Sequence, residues 1–256
     1  QWGGQRIITV LQVRGLPKRC PKFTLDQVSF SLGEGRIMGL IGKNGAGKST
    51  TIKAMLDLVC PDGGTIQMFG QDFRRTQKAC KQRLGVVLGG VDFYPAKRLK
   101  DITAVTRRFY QEWDEEAYRR YMDLFELDSG KRVDQLSAGM RVKYAIALAL
   151  SHRAELLILD EPTSGLDPVA RDDLLELFSA LARREGRSIL FSTHITSDLD
   201  KCADEITYLK DGAVLASEEK TSFLQHFSYL LAPGERGPLS LEEIMVRTER
   251  RQYDDI

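Results

Sequence analysis

Apolar and β-branched residues alternate or cluster over Ile7 to Val13 and again over Val28 to Leu32, on either side of a segment rich in Pro and Lys. Such runs predict antiparallel strands joined by a turn. Ile37-Met38-Gly39-Leu40-Ile41 contains no polar side chain, the pattern of a strand buried on both faces, and it breaks at glycine. From Lys48 the period lengthens. Ile52, Met55, Leu56 and Val59 fall at helical spacing until Pro61, so a helix is predicted over Lys48 to Leu58. A strand, a glycine turn and a helix therefore stand next to one another.

From about Asp92 to Ser151 the chain is richer in Arg, Tyr and acidic residues. Helices are predicted over Leu99 to Trp113, Glu115 to Phe125 and Gly139 to Leu150, together forming an insertion. Alternation of strand and helix then resumes: strand Leu156 to Leu159, helix Val169 to Arg184, strands Ile189 to Ser192 and Ile206 to Leu209. That order predicts a mostly parallel α/β sheet. Beyond Ala216 the sequence turns polar, with a Pro233-Gly234 break and a charged stretch from Arg247, and it contains no internal repeat.

The charge balance of 37 Lys+Arg against 36 Asp+Glu, with 42% hydrophobic residues, suits a packed globular chain rather than a disordered or polybasic one. No nucleic-acid partner is expected. Crossing a bilayer takes roughly 20 consecutive apolar residues, and the longest clean run, Ala145 to Leu150, is far shorter. The first residues lack the basic and apolar regions of a secretion signal. Cys20, Cys60, Cys80 and Cys202 form no C-x-x-C pair, which points to unpaired thiols of a reducing cytosol.

Candidate chemistry begins at Gly42-Lys43-Asn44-Gly45-Ala46-Gly47-Lys48-Ser49, which fits G-x-x-x-x-G-K-[ST] after a strand and at the start of a helix. Glycines let such a loop curl its N–H groups toward phosphate oxygens, and the positive helix end favours the anion. The nucleotide-binding set is then Gly42, Asn44, Gly45, Ala46, Gly47, Lys48, Ser49 and the adjoining Thr50. Lys48 would reach the β- and γ-phosphates, and Ser49 would offer a hydroxyl to Mg²⁺. Asp160-Glu161 leaves the buried strand Leu156 to Leu159, and successive strand residues face opposite ways. Asp160 is the candidate Mg²⁺ ligand and Glu161 the candidate general base. Ser137 and the N–H groups of Ala138 and Gly139 make a second helix start suited to an anion.

The order of these motifs, followed by Ser164-Gly165-Leu166-Asp167 and His194, resembles the ATP-binding cassette (ABC) family over about residues 7 to 215. The resemblance implies a RecA-like P-loop NTPase core with an antiparallel β portion and a helical subdomain that carries the signature motif. The core would comprise residues 1–91 and 152–215, the helical subdomain 92–151, and a C-terminal extension 216–256. It implies further that Ser137 and Gly139 bind the γ-phosphate of an ATP held by an opposite protomer. Asp167 would lie on the dimer seam, and His194 would orient Glu161 and the attacking water. Two copies would hydrolyse MgATP on the cytoplasmic face of a membrane, peripherally bound to a separate transmembrane permease. Within the family, the Phe125-Glu126-Leu127 and Leu136-Ser137-Ala138-Gly139-Met140 runs look most like single-cassette ATPases of small exporters. These include antibiotic-responsive and phenol-soluble-modulin exporters, which implies a peptide or amphipathic cargo.

Two departures from the family pattern stand out. The aromatic residue that usually stacks on adenine falls on Cys20, with Phe23 as a possible substitute. The Gln that usually ligates Mg²⁺ falls on Gly89 or Gly90, with Asp92 nearby. Two rival readings are weaker. A cassette acting on chromosomes or ribosomes would need long coiled coils or a second cassette in the chain, and a binding module that had lost hydrolysis would not need Glu161 and His194.

Overall fold

The computed structural model describes residues 8–21, 23–88 and 94–250. Gly89, Gly90 and Asp92, the positions set against the family's metal-binding Gln, lie outside the described residues, as does the predicted 91/92 boundary. Strands β1 (Thr9–Cys20) and β2 (Phe23–Gly33) form a long antiparallel hairpin. β3 (Ile37–Ile41) leads into α1 (Lys48–Met55), after which β4 (Thr65–Met68) and β5 (Gln71–Asp72) complete a sheet of order β2-β1-β4-β5. α2 (Phe73–Gln82) and β6 (Leu84–Val87) precede a helical layer of α3 (Leu99–Thr106), α4 (Glu115–Leu124) and α5 (Ala138–Ser151). The chain continues through β7 (Leu156–Asp160), α6 (Pro168–Glu185), β8 (Ser188–Thr193), α7 (Thr196–Cys202), β9 (Glu205–Lys210) and β10 (Ala213–Glu219). It ends with α8 (Lys220–His226) and α9 (Leu241–Glu249). A second sheet has the order β10-β9-β3-β8-β7-β6, parallel except for the β9–β10 hairpin.

Burial explains the apolar runs. Ile37, Ile41, Leu157, Leu159, Ile189 and Phe191 point into a core shared with α5, α6 and the helical layer. Their neighbours Met38, Leu40, Leu156, Ile158 and Leu190 point into a second core under α1 and the antiparallel sheet. Parallel strands covered on both faces have no polar side to show, hence the absence of alternation.

Several boundaries differ from the sequence expectation. The first hairpin runs on to Cys20 and Phe23 instead of turning at Pro17. Gly15 absorbs a bulge there, with φ of 55° and its N–H donated to Ser29 Oγ at 2.8 Å, so the pairing resumes beyond it. The helix expected over Leu99 to Trp113 stops at Thr106 and passes through a 3₁₀ turn, Arg107–Phe109. β10 crosses the expected 215/216 boundary, and the stretch expected to be polar tail carries α8 and α9. Leu241 and Ile244 are fully buried there, one per helical turn, too sparse a pattern to stand out in a Glu-rich sequence.

Candidate nucleotide site

The carboxyl ends of the neighbouring strands β3, β8 and β7 converge at one edge of the parallel sheet, the usual place for a ligand in such a sheet. Each strand delivers its loop there: Gly42 to Gly47 after β3, Glu161 after β7, His194 after β8. Asn44, Lys48, Ser49, Thr50, Glu161 and His194 line one cleft of about 490 Å³ together with Phe23. The local sequence thus reaches the site from three elements far apart in the chain.

α1 begins differently from α5 and α6. Ser137 caps α5 by accepting from Met140 N–H, and Asp167 caps α6 by accepting from Val169 and Ala170 N–H. Gly47, the N-cap of α1, supplies no side-chain bond at all. The first-turn amides of α1 are therefore left to an outside acceptor, which is what a phosphate provides. Gly45 fits the same use: its φ is 85°, and a Cβ there would meet nothing within 4 Å, so the loop curls around open space. Lys48 is 5% exposed. Its Nζ donates to Gly42 O at 2.8 Å and Lys43 O at 3.3 Å and lies 3.3 Å from Glu161 Oε1.

The two carboxylates stand apart, Asp160 at the last position of β7 and Glu161 just beyond it. Asp160, on the face that packs against α1, accepts from Ser49 Oγ at 3.0 Å and from Ser192 Oγ at 2.6 Å. Ser192 Oγ in turn accepts from Glu161 N–H at 2.9 Å. Ser49 and Asp160 offer only oxygen donors, the set a hard cation such as Mg²⁺ takes. Glu161 has φ of 50°, an uncommon left-handed torsion for a non-glycine residue that turns its side chain into the cleft. Its Oε2 lies 2.8 Å from His194 Nδ1. A carboxylate only accepts, so Nδ1 carries the hydrogen.

Behind these groups lies a polar network absent from the sequence reading. Asp198, 1% exposed, accepts from Thr163 Oγ1 at 2.7 Å and from Thr193 Oγ1 at 3.4 Å. It joins the loop after Glu161 to the residue before His194. A buried carboxylate at the fourth position beyond a candidate catalytic His was the signal available. On the side expected to take adenine, Cys20 pairs with Phe23 at the hairpin end and does not line the cleft, whereas Phe23 does. The Phe23 ring lies over the phosphate loop, its Cζ 2.4 Å from where a Gly47 Cβ would stand. Ser137, Gly139 and Asp167 are not brought to this cleft. Gly139 packs beside Leu166 and Ala170, each 3.7 Å from its Cβ position.

The β9–β10 turn closes the outer side. Asp211 and Gly212 have φ of 47° and 87°, the pair of positive torsions of a two-residue hairpin. Gly212 N–H donates to Ala46 O at 3.1 Å, and Gly212 O accepts from Asp26 N–H at 2.8 Å. The turn is thus bonded to the phosphate loop on one side and to β2 on the other.

Comparison with known proteins agrees with this geometry. The family model described as ABC transporter matches residues 25–164. The chain belongs to the ABC transporter family. Among curated ABC relatives, the bacitracin transport ATP-binding protein of Bacillus licheniformis is 32% identical over 194 residues, covering 75% of this chain and 63% of that protein. The linearmycin resistance ATP-binding protein of Bacillus subtilis is 32% identical over 218 residues, covering 83% of this chain and 70% of that protein. A solved structure titled as the ATP binding subunit of an ABC transporter superposes with a TM-score of 0.80 at 29% identity, covering 94% of this chain and all of that one. The RecA-like ABC cassette fold expected from the motifs is therefore the fold observed. Among the described residues, no helix is long and apolar enough to cross a membrane.

Proposed function

We propose that this ABC chain is the ATP-hydrolysing subunit of an exporter whose membrane-spanning part is a separate chain. One observation carries the reading: Lys48, Glu161 and His194 share a cleft whose helix start is uncapped, beside an Asp160–Ser49 oxygen pair. Lys48 and the α1 amides bind the phosphates. Glu161 accepts the proton of a water that attacks the γ-phosphorus; the bond to the bridging oxygen breaks, leaving ADP and phosphate. His194 holds Glu161 through Nδ1. Asp160 and Ser49 would hold Mg²⁺, which supplies charge compensation at the phosphate oxygens.

Ser137, Gly139 and Asp167 fit a site shared between two copies, because they lie outside the Lys48 cleft at the starts of α5 and α6, where Ser137 and Asp167 are exposed. An apolar groove of about 460 Å³ between β6, α3 and α5 extends to Asp160 and Glu161, which suits docking of a membrane partner that senses the site. The names of the bacitracin and linearmycin relatives support an antimicrobial or amphipathic cargo, with this chain at the cytoplasmic membrane surface.

Phosphate release from MgATP tests the reading. Glu161→Gln is expected to lower turnover by about 10²- to 10⁴-fold, the usual contribution of a general base, while MgADP still binds. Lys48→Ala is expected to lose binding. A Glu161→Gln protein that turns over at the wild-type rate would remove Glu161 from the reaction.

A further inference from the structure

Lys43, inside the phosphate loop, points away from the cleft toward the C-terminal helix. Its Nζ lies 3.1 Å from Glu249 Oε2 and 3.3 Å from Asp211 Oδ1. Its backbone belongs to the cradle, since Lys43 O accepts from Ala46 N–H at 3.1 Å and from Lys48 Nζ at 3.3 Å. One residue thus has its carbonyl in the nucleotide-binding loop and its ammonium on a carboxylate from the opposite end of the sequence.

Glu249 is itself held. Its side chain is 15% exposed, and its Oε1 accepts from the Tyr208 hydroxyl at 3.0 Å. One residue back, Thr248 O accepts from Lys210 Nζ at 2.8 Å. The end of α9 is therefore fastened to the end of β9, and α9 is seated by buried Leu241 and Ile244 and by the Ser240 capping box. A carboxylate pinned by a hydroxyl on a central strand has little freedom to follow Lys43. It sets where Lys43 stands.

From this geometry we infer that Glu249 is a positioning residue for the phosphate loop, acting through Lys43, so that the seat of the C-terminal helix sets nucleotide affinity. The inference rests on the reading of this loop as the nucleotide site. Lys43 pairs with Asp211 on the β9–β10 turn and with Glu249 on α9. Loss of Glu249 leaves only the turn, and the Lys43 peptide gains freedom that the phosphates must then restrict.

Calorimetric titration of the full chain with MgADP tests this, because ADP reads the loop without the chemical step. Glu249→Gln is expected to raise the Kd by about two- to fivefold, the scale of one partly exposed ion pair. Lys43→Met, which also gives up Asp211, is expected to do at least as much, and the double variant no more than Lys43→Met alone. In phosphate release the KM for ATP should rise by that factor with kcat unchanged, which a general loss of folding would not produce. A Kd unchanged in Glu249→Gln, or two effects that add in the double variant, overturns the inference while leaving the site intact. Failure of the wild-type chain to bind MgADP would overturn the site itself, and the inference with it.

Discussion

Phe23 allows base recognition to be separated from phosphate recognition. Its ring is half-buried and lines the cleft, with the edge at Cζ against Gly47 and Cε2 3.0 Å from the Cβ position of Gly212. Stacking on an aromatic ring is worth roughly 1–3 kcal/mol per base. Phe23→Ala should therefore raise the Kd for MgATP at least about fivefold, since about 1.4 kcal/mol is a factor of ten. Inorganic triphosphate offers the ring no base to stack on, so its Kd should not move. Phe23→Leu keeps bulk against Gly47 and Gly212 but has no π face, and should weaken ATP without loosening triphosphate. Cys20→Ala should change neither ligand. Equal losses for ATP and triphosphate would show that Phe23 acts by packing on the loop. A selective loss of ATP in Cys20→Ala would place adenine on the other strand of the hairpin.

Further outcomes follow from the same geometry. Mixing a Lys48→Ala chain with a Ser137→Arg chain should restore part of the phosphate release, because a mixed pair holds one site with both defects and one with neither; demonstrated mixed pairs without activity would count against shared sites. Burial pushes the His152 imidazole down to about 4 from 6.5. The unfolded chain therefore binds its proton first as pH falls, and stability should drop between pH 6.5 and 4 by up to about 3 kcal/mol. Urea midpoints at pH 7, 5.5 and 4.5 should show a shallower fall in His152→Gln, and equal slopes would place the effect elsewhere. Thr163→Val, which removes one donor to the buried Asp198 carboxylate, should cost about 1–3 kcal/mol of stability and slow turnover more than it weakens MgADP. A change confined to binding would disconnect that network from Glu161 and His194.

Much of the site was legible because its chemistry is local. The phosphate loop, Asp160-Glu161 and the Ser137 cap each occupy a few consecutive residues whose torsions and hydrogen-bonding groups act on their own neighbourhood. Strand parity gave Asp160 and Glu161 different directions, but Glu161 lies past the end of β7 and takes its direction from a left-handed torsion that the sequence does not announce. Contacts that depend on register or on distant segments were not legible. Which end of the first hairpin reaches the cleft is one of them: Phe23 lines it, and its cross-strand partner Cys20 does not. Asp198 reads as one more acidic residue in a short helix until the fold seals it behind Thr163 and Thr193. Glu249 meets Lys43 only after both sheets have formed. The β4–β5 pair was missed for another reason: four and two residues carry too few periods to be heard.

The β9–β10 turn bears on how this sequence can drift. At Gly45 a Cβ would meet no protein atom, so what restricts that position is its left-handed torsion and the space the cradle keeps for a phosphate. At Gly212 a Cβ would stand 1.9 Å from Thr24 O, a backbone atom with nowhere to go, at a torsion side chains already resist. Because that turn is bonded both to the phosphate loop and to the strand bearing Phe23, even alanine there would pry apart the two sheets across which the nucleotide cleft is built. Position 212 is a mutational dead end, and the freedom to diverge lies in the segments around it.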